Sequence, residues 1–433
     1  MKKLPSLRVH TLILGGGLSG LSAAYHLEKA GFTDYLLVEK NPFFGGLCAS
    51  EEINGFTFDL SGHLLHLHDP YAKTLVRKLL GKNLHRLQRR AFIDFGGRLI
   101  PFPFQANLWA LPPKIKQECL HGAQEAAQTR GKQKPANFRQ WCLQAFGEGV
   151  YRHFMRPYNA KLWQTEPERL TWDWCGDFVP EPDLRQIRAG AEKRPKKSYG
   201  YNAHFYYPLR GGCGALAQAL AAQVPNTWLN AELQRVDFKR RIAYVNGKEI
   251  RFERLLNTLP LKEFVRRCRP PASVLAAAEG LRHTTVRVLN FAVQRPLSGV
   301  HWIYLPQKDT PFYRLGVMSA FSPHNAPKGT TSFYAETAEN IPDERTAEQT
   351  FFNLLRQKGI INKSDKILFS FWWEIPVAYA IYDQRRAALT DKILSWLDKR
   401  GCLCTGRYGR WEYSFMERSL LQGRDAAAEL LKQ

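Results

Sequence analysis

The sequence contains no hydrophobic run long enough to cross a membrane. Each apolar stretch is shorter than the roughly 18–20 residues that a spanning helix requires, although 44% of the 433 residues are hydrophobic. The apolar stretch near the N-terminus ends in a glycine turn and lacks a cleavage site, so it does not indicate a signal peptide. We therefore expect a cytoplasmic protein with its core divided between two lobes.

The sequence also lacks a clear metal-ligand pattern and paired cysteines. Six of the eight cysteines are widely scattered, and the C-x-C pair Cys402 and Cys404 is alone a poor metal or redox signal. His66, His68 and Asp69 alternate as ligands can, but no second cluster accompanies them. We predict reduced, buried thiols and no metal site.

Acidic residues are scarce relative to basic ones. The chain has 39 Asp and Glu against 62 Lys and Arg, which gives a net charge of +23. This charge favours anionic partners, although ordinary solvated loops are the preferred explanation. The densest basic runs, 193–197 and 239–241, are not interleaved with aromatics, which disfavours nucleic acid. Peripheral contact with a membrane or an anionic glycan is kept as a hypothesis.

The beginning of the chain does contain a strand, a glycine turn, a helix and a second strand, in that order. Apolar residues 9–14 lead into Gly15-Gly16-Gly17-Leu18-Ser19-Gly20, a helical pattern covers 21–30, and a second apolar run, 35–38, ends at Glu39. This order predicts a site for the adenosine diphosphate half of a dinucleotide.

The residue types suit that ligand. Gly15 permits a sharp turn, Gly17 lets the backbone approach a pyrophosphate, and Gly20 lets the helix pack on the sheet. The N-terminus of the helix offers free N–H groups to phosphate. Glu39 lies where an acceptor for the ribose 2′-hydroxyl is expected, and its charge disfavours NADP.

Later segments suggest how the rest of the chain is arranged. Residues 71–187 are predicted to be mostly helical, and 191–200 to form a polar linker. A hairpin turn is predicted at Asn246-Gly247, because Asn-Gly is typical of two-residue hairpin loops. The other expected elements are strands at 228–239, 241–245 and 255–259, antiparallel strands within 284–335, and helices at 215–224, 347–358 and 416–431.

These elements indicate an α/β fold in which a Rossmann-like domain with a parallel sheet is interleaved with an α+β substrate lobe. We assign 1–75, 205–265 and 395–433 to the dinucleotide domain, and 76–204 and 266–394 to the substrate lobe. The glycine pair Gly45-Gly46, the glycine–helix block that begins at Gly406, and the length favour FAD over NAD.

Several local blocks of the sequence are distinctive. The most specific are Met155-Arg156-Pro157-Tyr158-Asn159 and Pro311-Phe312-Tyr313-Arg314, and further blocks lie at 58–63, 100–105, 207–212, 302–304 and 406–413. In these blocks the chain resembles the flavin-dependent UDP-galactopyranose mutases, particularly the eukaryotic type. It is also similar to the wider group of protoporphyrinogen-oxidase-like and amine-oxidase-like flavoproteins.

The resemblance implies FAD, an external reductant such as NAD(P)H, and interconversion of sugar ring forms without net redox change. No histidine or cysteine stands out as an attachment point, so we expect the FAD to be bound non-covalently. Catalytic roles are implied for His63, Asn159, Trp163, Asn202 and Arg314. Cofactor contacts are implied for Gly15, Gly17, Ser19, Gly20, Glu39, Lys40, Gly45, Gly46, Leu47, His63, Val236, Gly406 and Arg407. Substrate contacts are implied for Phe102, Gln105, Trp302, Tyr304, Arg314 and Tyr413.

The sequence departs from the mutases at three places. Phe102 stands where they have a tyrosine, and Phe178 where they have a second pyrophosphate-binding arginine. Their asparagine near the last aromatic block has no counterpart after Tyr413. Losing one of two forked cations is expected to weaken diphosphate binding by roughly a few kcal/mol.

Three hypotheses about function follow. The first is a mutase that interconverts ring forms of a nucleotide-linked or lipid-linked sugar through reduced flavin. The second is an FAD-dependent oxidoreductase of the protoporphyrinogen oxidase or amine oxidase type, acting on a glycan-related or other small substrate. The third is a non-catalytic flavoprotein that binds an anionic ligand.

Overall fold

The structure is a computed structural model that describes residues 7–131, 133–176, 178–181, 183–195 and 203–432. Asn202 and the end of the linker predicted at 191–200 lie outside the described residues. The strands, numbered in chain order, are β1 (Leu7–Leu14), β2 (Tyr35–Val38), β3 (Ser50–Ile53), β4 (Phe56–Asp59), β5 (Leu84–Gln88), β6 (Ala91–Phe95), β7 (Arg98–Pro101), β8 (His204–Pro208), β9 (Thr227–Trp228), β10 (Leu233–Asp237), β11 (Ile242–Val245), β12 (Lys248–Asn257), β13 (His283–Val293), β14 (Trp302–Tyr304), β15 (Arg314–Val317), β16 (Thr331–Thr337), β17 (Ile367–Ala380) and β18 (Cys402–Cys404).

The helices are likewise numbered in chain order. They are α1 (Leu18–Lys29), α2 (Pro70–Leu80), α3 (Pro113–Thr129), α4 (Phe138–Val150), α5 (Arg156–Trp163), α6 (Leu184–Glu192), α7 (Gly214–Ala221), α8 (Leu261–Arg266), α9 (Ala272–Gly280), α10 (Glu344–Gln357), α11 (Arg386–Asp398), α12 (Gly406–Gly409) and α13 (Met416–Leu431). A π-helical segment, Tyr151–Met155, joins α4 to α5. Within the described residues, no helix is both long and apolar enough to span a membrane.

The first sheet has the order β10-β11-β12-β1-β2-β9, with β18 beside β12. Strand β1 is parallel to β2 and β12, and β12 is parallel to β18. Strand β2 is buried throughout, as expected for a parallel strand covered by helices on both faces. Helices α1 and α13 approach each other so closely at Gly423 that a Cβ there would lie 2.4 Å from the carbonyl oxygen of Ser19. Only glycine fits at this position.

The second sheet has the order β17-β13-β16-β15-β14-β6-β7. Its strands pair antiparallel except for β14, which runs parallel to β6. The α/β fold with a parallel sheet and an antiparallel substrate sheet, predicted from the sequence, is confirmed. The predicted hairpin is also present, because β11 and β12 pair with Val245 opposite Lys248 around Asn246-Gly247.

The prediction that 71–187 is mostly helical is wrong for 84–101. Strand β5 pairs with β8, and β6 pairs with β7 to extend the second sheet. The chain reverses at Gly96 and Gly97, whose φ angles are +59° and +83°, so a two-residue turn joins β6 to β7. Leucines of this region have near-helical spacing, so the sequence pattern did not distinguish the hairpin from a helix.

Strand β17 was not predicted either. It has 14 residues and pairs along most of its length with β13. Its sequence, ILFSFWWEIPVAYA, is apolar on both faces, and such a run does not distinguish strand from helix by periodicity.

Candidate active site

Glycines shape the turn that follows β1. Gly15 has a φ angle of +102°, and a Cβ on Gly20 would lie 2.0 Å from the carbonyl oxygen of Gly15. Gly17 is different, because the nearest atom to a Cβ there is the Gly45 carbonyl oxygen at 4.0 Å. Gly17 and Gly45 form a parallel β-bridge. The turn therefore leaves one open face of bare backbone.

Helix α1 begins at this open face. Its N-cap is Gly17, no side chain caps it, and no acidic residue lies in its first turn. The N–H groups of that turn and the positive end of the helix dipole are therefore available to an anion. A Cβ on Gly406 would lie 2.4 Å from Ser19 Oγ, so the start of α12 lies against the same turn.

Glu39 holds the turn from the end of β2. Its carboxylate is almost fully buried, with Oε2 accepting from the Gly16 amide at 2.8 Å and Oε1 from the Asn41 amide at 2.9 Å. Each carboxylate oxygen can accept more than one hydrogen bond, so capacity remains for a ribose hydroxyl.

Three further residues predicted to contact the cofactor are Lys40, Leu47 and Val236, and each lies in a different part of the fold. Lys40 follows Glu39 and is exposed, and Leu47 lies in a short 3-10 turn, Gly46–Cys48, next to Gly45. Val236 lies on β10, which β11 and β12 separate from β1 in the first sheet. Its side chain is 1% exposed in the core and its amide donates to the Arg267 carbonyl oxygen.

A deep cavity lies beside α12 and the loop after β4. Its wall is rich in aromatic residues, among them Tyr158, Tyr334 and Tyr379. The predicted site residues that line it are His63, Phe102, Gln105, Asn159, Trp302, Tyr304, Arg314, Arg407 and Tyr413.

Trp163 lies behind this wall rather than in it. Its side chain is fully buried, and its ring centroid is 4.9 Å from that of Trp174 and 5.8 Å from that of Tyr413. Both neighbours line the cavity, so Trp163 supports the wall without forming it.

The main charged group in the cavity is an arginine that already has a partner. Arg314 binds Glu336 through two hydrogen bonds of 2.6 Å, from Nε to Oε2 and from Nη2 to Oε1. Glu336 is fully buried and also accepts a hydrogen bond from the Ser61 hydroxyl. Burial alone would raise the pKa of Glu336, but Arg314 holds that pKa below its ordinary value.

Glu336 and Ser61 were missed from the sequence. The sequence signal was weak, because Glu336 is the one acidic residue within 331–337, and only the structure shows that all seven residues of β16 are buried. A buried carboxylate requires a partner, and Arg314 is the residue directly opposite it on β15. The two charges therefore largely balance inside the protein.

Arg407 is the second cation in the cavity. Its guanidinium donates to the carbonyl oxygens of Ala378 and Ser414, at 2.6 and 2.9 Å, and lies over the rings of Tyr379 and Tyr413. Among the described residues, no carboxylate forms an ion pair with it. Its charge is therefore available to an anionic group of a bound molecule.

His63 lies in the cavity as a neutral imidazole. Burial lowers its pKa to about 4, against an opposing effect of Glu336. His63 can therefore donate and accept a hydrogen bond at neutral pH, but it adds no charge to the cavity.

The arrangement fits a flavin dinucleotide. The uncapped α1 N-terminus suits a pyrophosphate, Glu39 suits a ribose, and Arg407 offers a positive charge between the turn and the cavity. The flavin, when bound, supplies the reactive ring system that no side chain provides.

Comparison with known proteins supports this cofactor. The sequence pattern of the flavin containing amine oxidoreductases matches residues 18–431. The chain belongs to this family. It is therefore a flavin-dependent enzyme, and the hypothesis of a non-catalytic flavoprotein is set aside.

Two solved structures are similar along nearly the whole chain. A reduced UDP-galactopyranose mutase covers 98% of this chain and 94% of its own, with 27% identity and a TM-score of 0.92. A protein described as a protoporphyrinogen oxidase, from Exiguobacterium sp. 255-15, covers 99% of this chain and 100% of its own, with 16% identity and a TM-score of 0.74. At that identity the second likeness shows the fold alone.

Curated relatives match over short segments. A carotenoid 3,4-desaturase from Haloarcula japonica is 48% identical over 48 residues, which are 11% of this chain and 10% of the desaturase. The chain spans about half or less of the length of three such relatives.

The buried histidine before β14 predicts a dependence of stability on pH. His301 is fully buried, its Nδ1 accepts from the Arg90 amide, and burial lowers its pKa to about 4. Between pH 6.5 and 4 the unfolded chain therefore binds more protons at this group than the folded protein. Stability should fall as pH falls, by about 2 kcal/mol between pH 7 and pH 5.

Denaturant unfolding of wild type and His301→Asn at the two pH values measures this effect. Asparagine keeps an acceptor for the Arg90 amide but cannot titrate, so the loss on acidification should shrink by about 2 kcal/mol. His121→Asn, the same substitution at an exposed histidine, is measured alongside as the control. An identical pH dependence in wild type and His301→Asn would contradict the prediction.

Proposed function

We propose that this enzyme interconverts ring forms of a nucleotide-linked sugar, using reduced and non-covalently bound FAD. The observation that carries the proposal is the cavity beside the dinucleotide turn, which combines two arginines, an amide and aromatic walls. The extensive likeness to a reduced UDP-galactopyranose mutase supports the same activity. Other nucleotide-linked sugars and lipid-linked sugars can be compared as substrates in the assay described below.

The protein's own groups would act mainly by holding the substrate. Arg407 would attract its phosphates, and Arg314 would donate to them from Nη1, the nitrogen that does not bind Glu336. Asn159 would accept a hydrogen bond from a sugar hydroxyl through Oδ1, since its Nδ2 already donates to the Met155 carbonyl oxygen. Tyrosine and tryptophan rings would stack on sugar and base and exclude water. His63 would offer a neutral hydrogen-bonding partner near the reacting carbon.

The test is turnover of UDP-galactofuranose by purified protein with and without dithionite, with the sugars separated by chromatography. UDP-galactopyranose should form from the reduced protein and not from the oxidised protein. NAD(P)H is then tried in place of dithionite as the physiological reductant. Absence of product from fully reduced, FAD-loaded protein would overturn the proposal for this sugar nucleotide.

A second candidate is an oxidoreductase of the protoporphyrinogen oxidase or amine oxidase type. It is favoured by the charge of the cavity, since Phe178 replaces an arginine of the mutases and Arg314 is neutralised by Glu336. Such an enzyme would bleach its flavin when substrate is added without reductant, and an electron acceptor would restore the colour.

Phe178 provides a prediction about the substrate's phosphates. Its ring centroid is 4.1 Å from that of Tyr413, so an arginine there would project from the same wall toward the cavity. Phe178→Arg should tighten UDP binding about tenfold or more, because a hydrogen bond to a charged group adds about 1.5–3 kcal/mol. Titration calorimetry on the FAD-loaded protein measures the change.

Phe178→Met is the matched control, since it removes the ring without adding charge and should leave UDP binding unchanged or weaker. Equal affinity of the arginine variant and wild type would show that no diphosphate lies against this wall.

A further inference from the structure

One buried lysine near the cavity has an unusual set of partners. Lys161 lies on α5, is 8% exposed, and its ammonium donates to the carbonyl oxygens of Leu305, Gln307, Thr310 and Phe312. The four N–O distances are 2.8, 2.9, 2.8 and 2.6 Å. Burial lowers the pKa of Lys161 to about 8, so the ammonium remains mostly protonated at neutral pH.

The four carbonyl oxygens surround the ammonium as ligands surround a metal cation, and not as partners in separate one-to-one hydrogen bonds. An ammonium has three protons, yet four carbonyl oxygens surround it, so at least one proton is shared. No carboxylate is in hydrogen-bond contact with the ammonium among the described residues, although Asp309 and Glu339 lie near enough to affect it. Carbonyl oxygens arranged in this way replace the hydration shell of a monovalent cation.

The four carbonyls belong to one segment, 305–312, which joins β14 to β15. Tyr304 precedes this segment and Arg314 follows it, and both line the cavity. The ammonium comes from α5, which also carries Asn159. A single buried charge therefore connects α5 to the β14–β15 connection, and both parts of the chain supply residues to the cavity wall.

We propose that Lys161 is a tethered monovalent cation and a positioning residue for the cavity. The carbonyl cage at Leu305, Gln307, Thr310 and Phe312 is a monovalent cation site that the chain fills with its own side chain. When the side chain is shortened, the cage takes up a free monovalent cation such as K⁺ or NH₄⁺. The free cation then restores the segment to its place.

The test compares Lys161→Ala with wild type as FAD-loaded proteins, in chloride salts of choline, K⁺ and NH₄⁺ at equal ionic strength. In choline the variant should melt about 5 °C or more below wild type. K⁺ or NH₄⁺ should raise its melting temperature in a saturable manner, while the melting temperature of wild type stays constant. Lys161→Met, which fills the space without a charge, should not respond to either cation.

A second measurement tests positioning. UDP should bind Lys161→Ala at least tenfold more weakly in choline than in NH₄⁺. This measurement rests on the proposed function, whereas the melting comparison does not, so the two can fail separately. Weak binding of UDP by wild type would count against the proposed substrate and leave the cage intact.

Three results would overturn the inference. They are a melting temperature of Lys161→Ala equal to that of wild type, an equal response to all three salts, and an equal response of Lys161→Met. If Lys161→Ala is insoluble when expressed, it is refolded from urea in the same salts. Recovery only in K⁺ or NH₄⁺ supports the cage, and recovery in none of the salts overturns it.

Discussion

Replacing Glu336 with glutamine is expected to lower the free energy of unfolding by about 3–5 kcal/mol, because it leaves a buried arginine without its counter-charge. Glutamine has nearly the shape of glutamate, so the loss would come from charge and not from packing. Arg314 is mostly buried, and both of its hydrogen bonds to Glu336 are short. Denaturant unfolding of the FAD-loaded protein measures the change.

Glu336→Gln also tests whether Arg314 contacts the substrate. If a diphosphate lies against Arg314, UDP should raise the melting temperature of Glu336→Gln more than that of wild type, since it supplies the missing negative charge. The control is Glu374→Gln on β17, a half-exposed residue 3.9 Å from Arg287, for which a change below about 0.5 kcal/mol is expected.

A double variant separates charge from structure in this pair. Glu336→Leu with Arg314→Met replaces both charges by apolar groups of similar size, and should be much more stable than Glu336→Gln alone. It should also lose UDP binding. An unchanged stability of Glu336→Gln would contradict the assignment of an ion pair here.

The Arg314–Glu336 ion pair also shows what the sequence alone did not predict. Arg314 was recognised from a local block, but Glu336 lies 22 residues further along and meets it only because β15 and β16 pair in one particular register. Register depends on the whole sheet and not on either strand alone. The charge of the cavity therefore could not be derived before the structure was known.

Local features were predicted well for a corresponding reason. The order of β1, the glycine turn, α1 and β2 depends on residues close together in sequence, and the structure has this order. Strand β17 and the β6–β7 hairpin derive their stability from partners far along the chain, so their own periodicity was a poor guide. The assignment of residues to the two domains and the roles of individual site residues stay predictions.

Two glycines of the turn should respond to substitution in opposite ways. Gly20→Ala would bring a Cβ within 2.0 Å of the Gly15 carbonyl oxygen, a clash of backbone with side chain that only a shift of α1 away from β1 relieves. We expect a loss of about 3 kcal/mol or more, or an insoluble protein. Gly17→Val should fold, because Gly17 has an ordinary φ of −76° and the atom nearest to an added Cβ, the Gly45 carbonyl oxygen, lies 4.0 Å away. It should nonetheless bind no FAD, because the valine occupies the approach of the pyrophosphate to the backbone.

The visible absorbance of bound flavin and the melting temperature together distinguish these outcomes. Gly17→Val should be colourless and melt at the temperature of wild type stripped of FAD, whereas Gly20→Ala should melt well below it. Gly31→Ala is the matched control, since its φ of +78° costs only about 1 kcal/mol and no atom lies within 4 Å of the added carbon. It should retain FAD. If Gly17→Val also retained FAD at wild-type affinity, the pyrophosphate would have to bind elsewhere, and the uncapped start of α1 would lose its assigned role.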